Sequence, residues 1–218
     1  MTDVQTAESA AQRLARARDA RERWCRDARL LGSIAYEADA SRSPLREDVG
    51  GHGRAMLAAA WERRAGLLDG AVTALGALPD WAEASRESRR ELALLAGAMV
   101  RARPLRRSID GVLLSLVAFE IGEARLDLIT RLCAGRPALS TRPWSADPVA
   151  DLLELGGEVL LRTADCPDAV LERLALLFPA SDALAQADAA DLRRVADDAR
   201  MLWRAGPDAA SVFAGGAR

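Results

Sequence analysis

Residues 92–132 read LALLAGAMVRARPLRRSIDGVLLSLVAFEIGEARLDLITRL, and this stretch decides the fold class. Apolar residues recur in it at intervals of three or four, which is the period of an α-helix, and β-branched residues are too sparse for strands. Pro104 and Gly122 divide the stretch, because proline interrupts a helix and glycine adopts the conformation that stops one. The same spacing continues through most of the chain. The sequence therefore predicts an all-α protein, an irregular multi-helix bundle of seven to nine helices.

Start and stop signals place the individual helices. Asp80 and Glu83 are predicted to form a capping box at the start of a helix that ends near Arg103. Pro104 is expected at the first position of the next helix, and Asp110 is expected to cap the one after it. Asp147, followed by Pro148, is expected to open a later helix. Further helices are predicted over 54–78, 111–121, 123–134 and 148–163, and another begins after Pro167. The last predicted helix ends at Gly206 and has an apolar face made of Leu192, Val195, Ala199, Leu202 and Trp203.

The predicted organisation has four parts. Residues 1–39 form a long polar N-terminal helix whose first half carries mostly Ala and Arg. Residues 40–53, rich in Ser, Pro and Gly, form a linker. Residues 54–206 form the helical domain, and residues 207–218 form a flexible tail.

The charge composition bears on the class of partner. The 218 residues carry a formal net charge of −2 and all 30 basic residues are Arg, since the chain has no Lys. An overall basic excess, the usual footprint of nucleic-acid binding, is missing, and the first fifty residues lack a helix-turn-helix pattern. The three cysteines are widely spaced, and neither a secretion signal nor an apolar run long enough to span a membrane is present. The prediction is a cytoplasmic protein that does not bind nucleic acid.

Motifs for catalysis or metal binding are missing from the sequence. His52 is the only histidine, so zinc sites with paired histidines and di-iron helix bundles are excluded. A zinc site built from His52 with Cys25, Cys133 and Cys166 stays open, although none of these residues has ligand spacing. Asp197 and Asp198 are expected to face solvent on the last helix rather than bind a metal. The prediction is therefore a protein that is not an enzyme and has no cofactor and no metal.

The basic turn within residues 100–111 is the candidate binding site. Arg101, Arg103, Arg106 and Arg107 lie there within seven positions. Arg106 and Arg107 are expected in the first turn of a helix, where the helix dipole disfavours cations, and an acidic protein partner would explain them. Trp144, in the loop over 135–147, is a further candidate contact, because Arg and Trp are enriched at interface hot spots. The alternative for Trp144, and for Trp81, is a lid folded onto the core.

Two segments carry a family resemblance. Residues 92–132 have an apolar helix, a basic turn, the step Ile109-Asp110-Gly111, a Leu-rich helix and the turn Gly122-Glu123. The segment VLERLALLFP (170–179) adds Arg173, Leu174, Leu176 and Pro179. These features resemble the SctK/YscK-type proteins of bacterial type III secretion systems, in a divergent branch like that of plant pathogens, although residues 1–50 depart from the family pattern.

The resemblance implies a non-enzymatic cytosolic adaptor of the sorting platform beneath the secretion apparatus. Its expected partners are the cytoplasmic domain of an inner-membrane ring protein and the cytosolic ring protein that carries the ATPase complex. The adaptor would meet the membrane only through these partners. The first alternative is a helical transcriptional or ligand-binding regulator, and a metal or prenyl-transfer enzyme comes third.

Overall fold

A computed structural model describes residues 78–139 and 142–206 of the chain. The all-α prediction is confirmed, since these residues form seven α-helices and no strand. Four predicted segments lie outside the described residues. They are the N-terminal helix (1–39), the linker (40–53), the helix over 54–78 except its last residue, and the tail (207–218). The helices are α1 (Arg86–Val100), α2 (Ala102–Arg107), α3 (Gly111–Ile121), α4 (Glu123–Leu132), α5 (Pro148–Arg162), α6 (Asp168–Leu174) and α7 (Ala189–Ala205).

The chain divides into two compact units. Residues 79–165 and 174–206 belong to one unit, and residues 166–173, which include most of α6, belong to the other. Short 3-10 helices precede α1, at Asp80–Glu83, and follow α6, at Ala175–Leu177. The core described below is that of the first of these units.

The centre of this unit is a close crossing of α1 and α5. A Cβ atom added to Gly156 would lie 1.8 Å from the carbonyl oxygen of Ala93, and one added to Gly97 would lie 2.0 Å from that of Leu152. Both distances are far inside van der Waals contact, so the two backbones touch where the glycines lie. The last nine residues of α1 are all buried, which confirms the prediction that its apolar half enters the core.

The last helix, α7, packs against α1 and α5. Its predicted apolar face is confirmed, because Leu192, Val195, Ala199 and Leu202 are all buried. Trp203 at the end of this face is half-buried, and its indole N–H donates a hydrogen bond of 2.9 Å to Ser88 Oγ on α1. A residue 115 positions away thus anchors the first turn of α1 to the end of α7.

Several helix termini agree with the prediction from local sequence. Asp110 Oδ1 accepts hydrogen bonds from the backbone N–H groups of Val112 (2.9 Å) and Leu113 (3.2 Å), as expected of a cap. Asp147 caps α5 in the same way. Gly122 and Gly206 end their helices with positive φ angles of 88° and 71°.

The capping box predicted at Asp80 and Glu83 is wrong. These residues form a 3-10 turn, and α1 begins later, with Ser85 Oγ accepting the backbone N–H of Ser88 at 3.2 Å. The physical reason is tertiary. Arg89 donates to the carbonyl oxygens of Ala82 (3.1 Å) and Ala84 (2.7 Å), and Trp81 inside the turn is fully buried.

The junction between α1 and α2 also differs from the prediction. α1 ends at Val100 rather than near Arg103, and α2 begins at Ala102, so Pro104 is its third residue instead of its first. Proline still fits there, because the first N–H groups of a helix have no carbonyl acceptor within the helix, so the missing N–H costs no hydrogen bond. Arg106 and Arg107 therefore lie in the last turn of α2, not the first. Here the helix dipole favours cations, so a dipole conflict does not explain these arginines.

Candidate protein-binding surface

The four arginines of the basic turn divide into one inward and three outward side chains. Arg101 is only 1% exposed, whereas Arg103, Arg106 and Arg107 are exposed. Arg101 comes directly after α1, whose preceding residues are all buried, so its side chain continues into the core. The placement of Arg101 among the partner-binding residues is corrected accordingly, since a buried guanidinium cannot meet a partner on the surface.

Arg101 forms a buried ion pair with Asp151 of α5. Its Nε and one terminal nitrogen donate to Asp151 Oδ2 at 3.0 and 2.7 Å. Its remaining donors reach the backbone carbonyl oxygens of Arg142 and Pro143 in the loop before α5. A charge taken out of water needs such complete pairing, because an unsatisfied buried ion is costly. This arginine therefore joins the end of α1 to α5 and to the loop before it.

A second layer of charges covers this pair. Arg142 donates to Asp151 Oδ1 at 2.5 Å and to Glu154 Oε1 at 2.7 Å. The hydrogen bond from Arg142 lowers the pKa of Glu154, and the bonds to Glu154 and Asp151 raise the pKa of Arg142. Both groups thus stay charged through the neutral range, with two anions facing two cations.

Trp144 lies over this cluster. The guanidinium carbon of Arg101 is 4.7 Å from the centroid of the Trp144 ring, which is a cation–π geometry. Trp144 is half-buried, and Trp81 is fully buried and packs against Phe178 with ring centroids 5.9 Å apart. The lid alternative is thus confirmed for Trp81, and the partner contact at Trp144 stays a prediction.

The three outward arginines form an exposed basic turn. Arg106 reaches only the carbonyl oxygen of Ala134, at 3.5 Å. Among residues 78–139 and 142–206, no carboxylate pairs with Arg103, Arg106 or Arg107. These three remain the predicted partner contacts. Arg103 lies in the first turn of α2, and Arg106 and Arg107 lie in its last turn.

Directly after the basic turn, one residue before α3 and three residues of α3 expose large apolar side chains, which together we call the apolar stripe. It consists of Ile109, which is fully exposed, Val112 (72% exposed), Leu116 (43%) and Phe119 (87%). The opposite side of α3 is buried through Leu113, Val117 and Ile121. The helix is therefore apolar on two faces, of which the fold uses one.

Sequence reasoning did not identify the apolar stripe, although a signal was present. The sequence GVLLSLVAFEI has one charged residue in eleven positions. A helix that is apolar all round is normally buried all round, and α3 is not. Contiguous exposed apolar surface of this kind marks interaction sites in soluble proteins.

The other candidate chemical groups have structural partners. Asp197 is exposed and pairs with Arg200, but Asp198 is half-buried and pairs with Arg136 at 2.6 Å, which corrects its expected outward position. Cys133 is buried, and this burial raises the pKa of its thiol. No group of three potential metal ligands occurs among the described residues, and Cys25 and His52 lie outside them. None of the described helices has the length and apolar character needed to cross a membrane.

No protein-family model, no curated protein and no solved structure matches this chain.

Proposed function

We propose that this protein is a non-enzymatic cytosolic adaptor that binds other proteins through the apolar stripe and the exposed basic turn. The observation that carries the proposal is their adjacency. Four large apolar side chains lie in solvent directly after three arginines that no described carboxylate pairs. An apolar centre with a charged rim is the usual composition of a protein interface.

The setting that we propose is the type III secretion apparatus. Both surface features lie inside residues 92–132, the segment that resembles the SctK/YscK-type adaptors. The proposed partners are the cytoplasmic domain of the inner-membrane ring protein and the cytosolic ring protein of the sorting platform. An acidic surface on one of these partners would pair with Arg103, Arg106 and Arg107, whereas Arg101 takes no part in it.

Co-purification from cells with an intact secretion cluster tests this function. The tagged wild-type chain is expected to retain at least one of the two ring proteins. The double variant Arg106→Glu with Arg107→Glu is expected to lose most of that association while its helix content stays unchanged, because both side chains are exposed. Two charge reversals at a protein interface weaken binding by roughly tenfold or more.

The matched control is Arg193→Glu with Arg194→Glu, a neighbouring pair of exposed arginines on α7. It changes the net charge by the same amount and should leave the association intact. Absence of both ring proteins from the wild-type sample would reject the adaptor role. A salt-sensitive gel shift with DNA that the Arg106/Arg107 variant abolishes would support the regulator instead.

A further inference from the structure

The apolar stripe has a symmetry that specifies its occupant. Val112, Leu116 and Phe119 follow one another on α3 at intervals of four and three residues, which is the spacing of a coiled-coil seam, and Ile109 lies just before the helix cap Asp110. Reversing the direction of the helix about Leu114 exchanges Ile109 with Phe119 and Val112 with Leu116. An antiparallel copy of α3 would therefore place Leu116 opposite Val112 and bring Phe119 toward Ile109 in the segment before the helix.

The charges at the two ends of the stripe favour the antiparallel direction over the parallel one. Arg106 and Arg107 lie at its N-terminal end. Glu120 and Glu123 lie at its C-terminal end, where Glu120 pairs with Arg90 at 2.7 Å and Glu123 is exposed, with no cation of the described residues bound to it. A parallel copy would bring arginines against arginines, whereas an antiparallel copy brings Arg107 toward the partner copy's Glu123. Antiparallel helices also align their dipoles favourably.

We propose that the apolar stripe is a homodimer interface, in which α3 of two copies of this chain pack antiparallel about a twofold axis near Leu114. A twofold axis makes such a contact isologous, so one self-complementary patch suffices and the assembly closes at two chains. The inference rests on the proposed function in one respect, namely that this surface binds protein. It names a second copy of this chain as the occupant of the apolar stripe, which leaves Arg103 and Arg106 of each copy for the ring proteins.

Sedimentation equilibrium of the full chain tests the interface. The wild type is expected to sediment with the mass of two 23.3 kDa chains at micromolar concentration. The variant Val112→Asp with Phe119→Asp should raise the dissociation constant at least roughly 30-fold, since buried interface anchors typically carry this much. Met201→Asp, which alters an exposed apolar residue on α7, is the matched control and should leave the dimer intact. A wild type that remains monomeric overturns the proposal.

A charge exchange tests whether the partner is this chain itself. Glu123→Arg should weaken the dimer about 2- to 5-fold, as expected for an exposed ion pair that becomes a repulsion. Adding Arg107→Glu to the same chain should restore the dimer, because each copy then offers the reversed pair to the other. If the second change weakens association further, the two ends do not meet and the antiparallel arrangement is wrong.

Cysteine cross-linking tests the direction of the helices. A mixture of Val112→Cys and Leu116→Cys chains should form the mixed disulfide dimer faster than either variant forms its own. The wild type, with its three native cysteines, provides the background. Faster cross-linking within each single variant would indicate parallel helices and would overturn the proposal.

The two proposals fail separately in these experiments. A monomeric chain that still retains a ring protein refutes the homodimer and leaves the adaptor role standing. A dimer that retains neither ring protein refutes the adaptor role and leaves the homodimer standing.

Discussion

At the scale of single residues, the arginines of one short turn have two different physical roles. Arg101 belongs to the core, with Asp151, a carbonyl-lined loop and the ring of Trp144 around it. Arg103, Arg106 and Arg107 belong to the surface. All four are arginines within seven positions, so the residue type does not separate them. The difference is whether the backbone directs the side chain toward α5 or toward solvent.

Replacing Asp151 should reveal the structural role of this cluster. Asp151→Ala leaves the Arg101 guanidinium buried without its counter-ion, and removal of one partner of a buried pair costs about 3–5 kcal/mol. We expect the free energy of unfolding in urea to fall by that amount. Arg107→Ala, at an exposed position of the same turn, should change it by less than about 0.5 kcal/mol. Equal losses of unfolding free energy in the two variants would contradict the assignment of Arg101 to the core and of Arg107 to the surface.

Glu154 should make stability depend on pH in the acid range. Its pKa in the folded protein is lowered from the ordinary value of 4.5, chiefly by the hydrogen bond from Arg142. A carboxyl whose folded pKa is depressed stabilises the protein fully above the unfolded pKa, and that contribution disappears as the pH falls through the folded value.

Comparison with Glu154→Gln isolates this term. The wild type should be the more stable protein near pH 7, and the difference in unfolding free energy should shrink as the pH is lowered below about 4.5. A difference that stays constant from pH 7 to pH 3 would show that the pair contributes nothing through its charge.

At the scale of elements, the crossing of α1 and α5 depends on two glycines that bring backbone against backbone. Local sequence offers no strong sign of it, since glycine inside a helix costs about 1 kcal/mol relative to alanine. Gly97 and Gly156 are acceptable only because the facing helix occupies the space of a side chain. The exposed helix α3 shows the converse, where apolar residues are present in excess of what the fold buries.

Gly156→Ala should therefore destabilise the protein despite its better helix propensity. The new Cβ would lie 1.8 Å from the Ala93 carbonyl oxygen, so the two helices must separate. Overpacking of this kind costs about 1–3 kcal/mol, seen as a lower denaturation midpoint. Gly111→Ala at the start of α3, where nothing lies within 4 Å, is the matched control and should be neutral or stabilising. A Gly156→Ala variant as stable as the wild type would show that the backbones of α1 and α5 do not touch at this position.

At the scale of the whole molecule, a dimer couples stability to protein concentration. If two chains unfold together, the midpoint of thermal unfolding rises with total concentration, because mass action favours the associated folded state. We expect this rise for the wild type and its loss in Val112→Asp with Phe119→Asp. The variant's midpoint should match that of the wild type at high dilution, since both side chains are exposed in the single chain. An invariant wild-type midpoint would count against association.

The sequence alone determined the features that depend on interactions between residues only a few positions apart. The helical period, the caps Asp110 and Asp147 and the stops Gly122 and Gly206 all depend on hydrogen bonds or backbone angles confined to one turn. The tertiary structure decided which side chains face inward and where α1 begins, because those outcomes depend on distant groups. Asp151 lies 50 positions from Arg101, and the bonds from Arg89 displace the start expected at Asp80. The exposed apolar stripe belongs to this second kind, since only the packed helices show which face of α3 is left over.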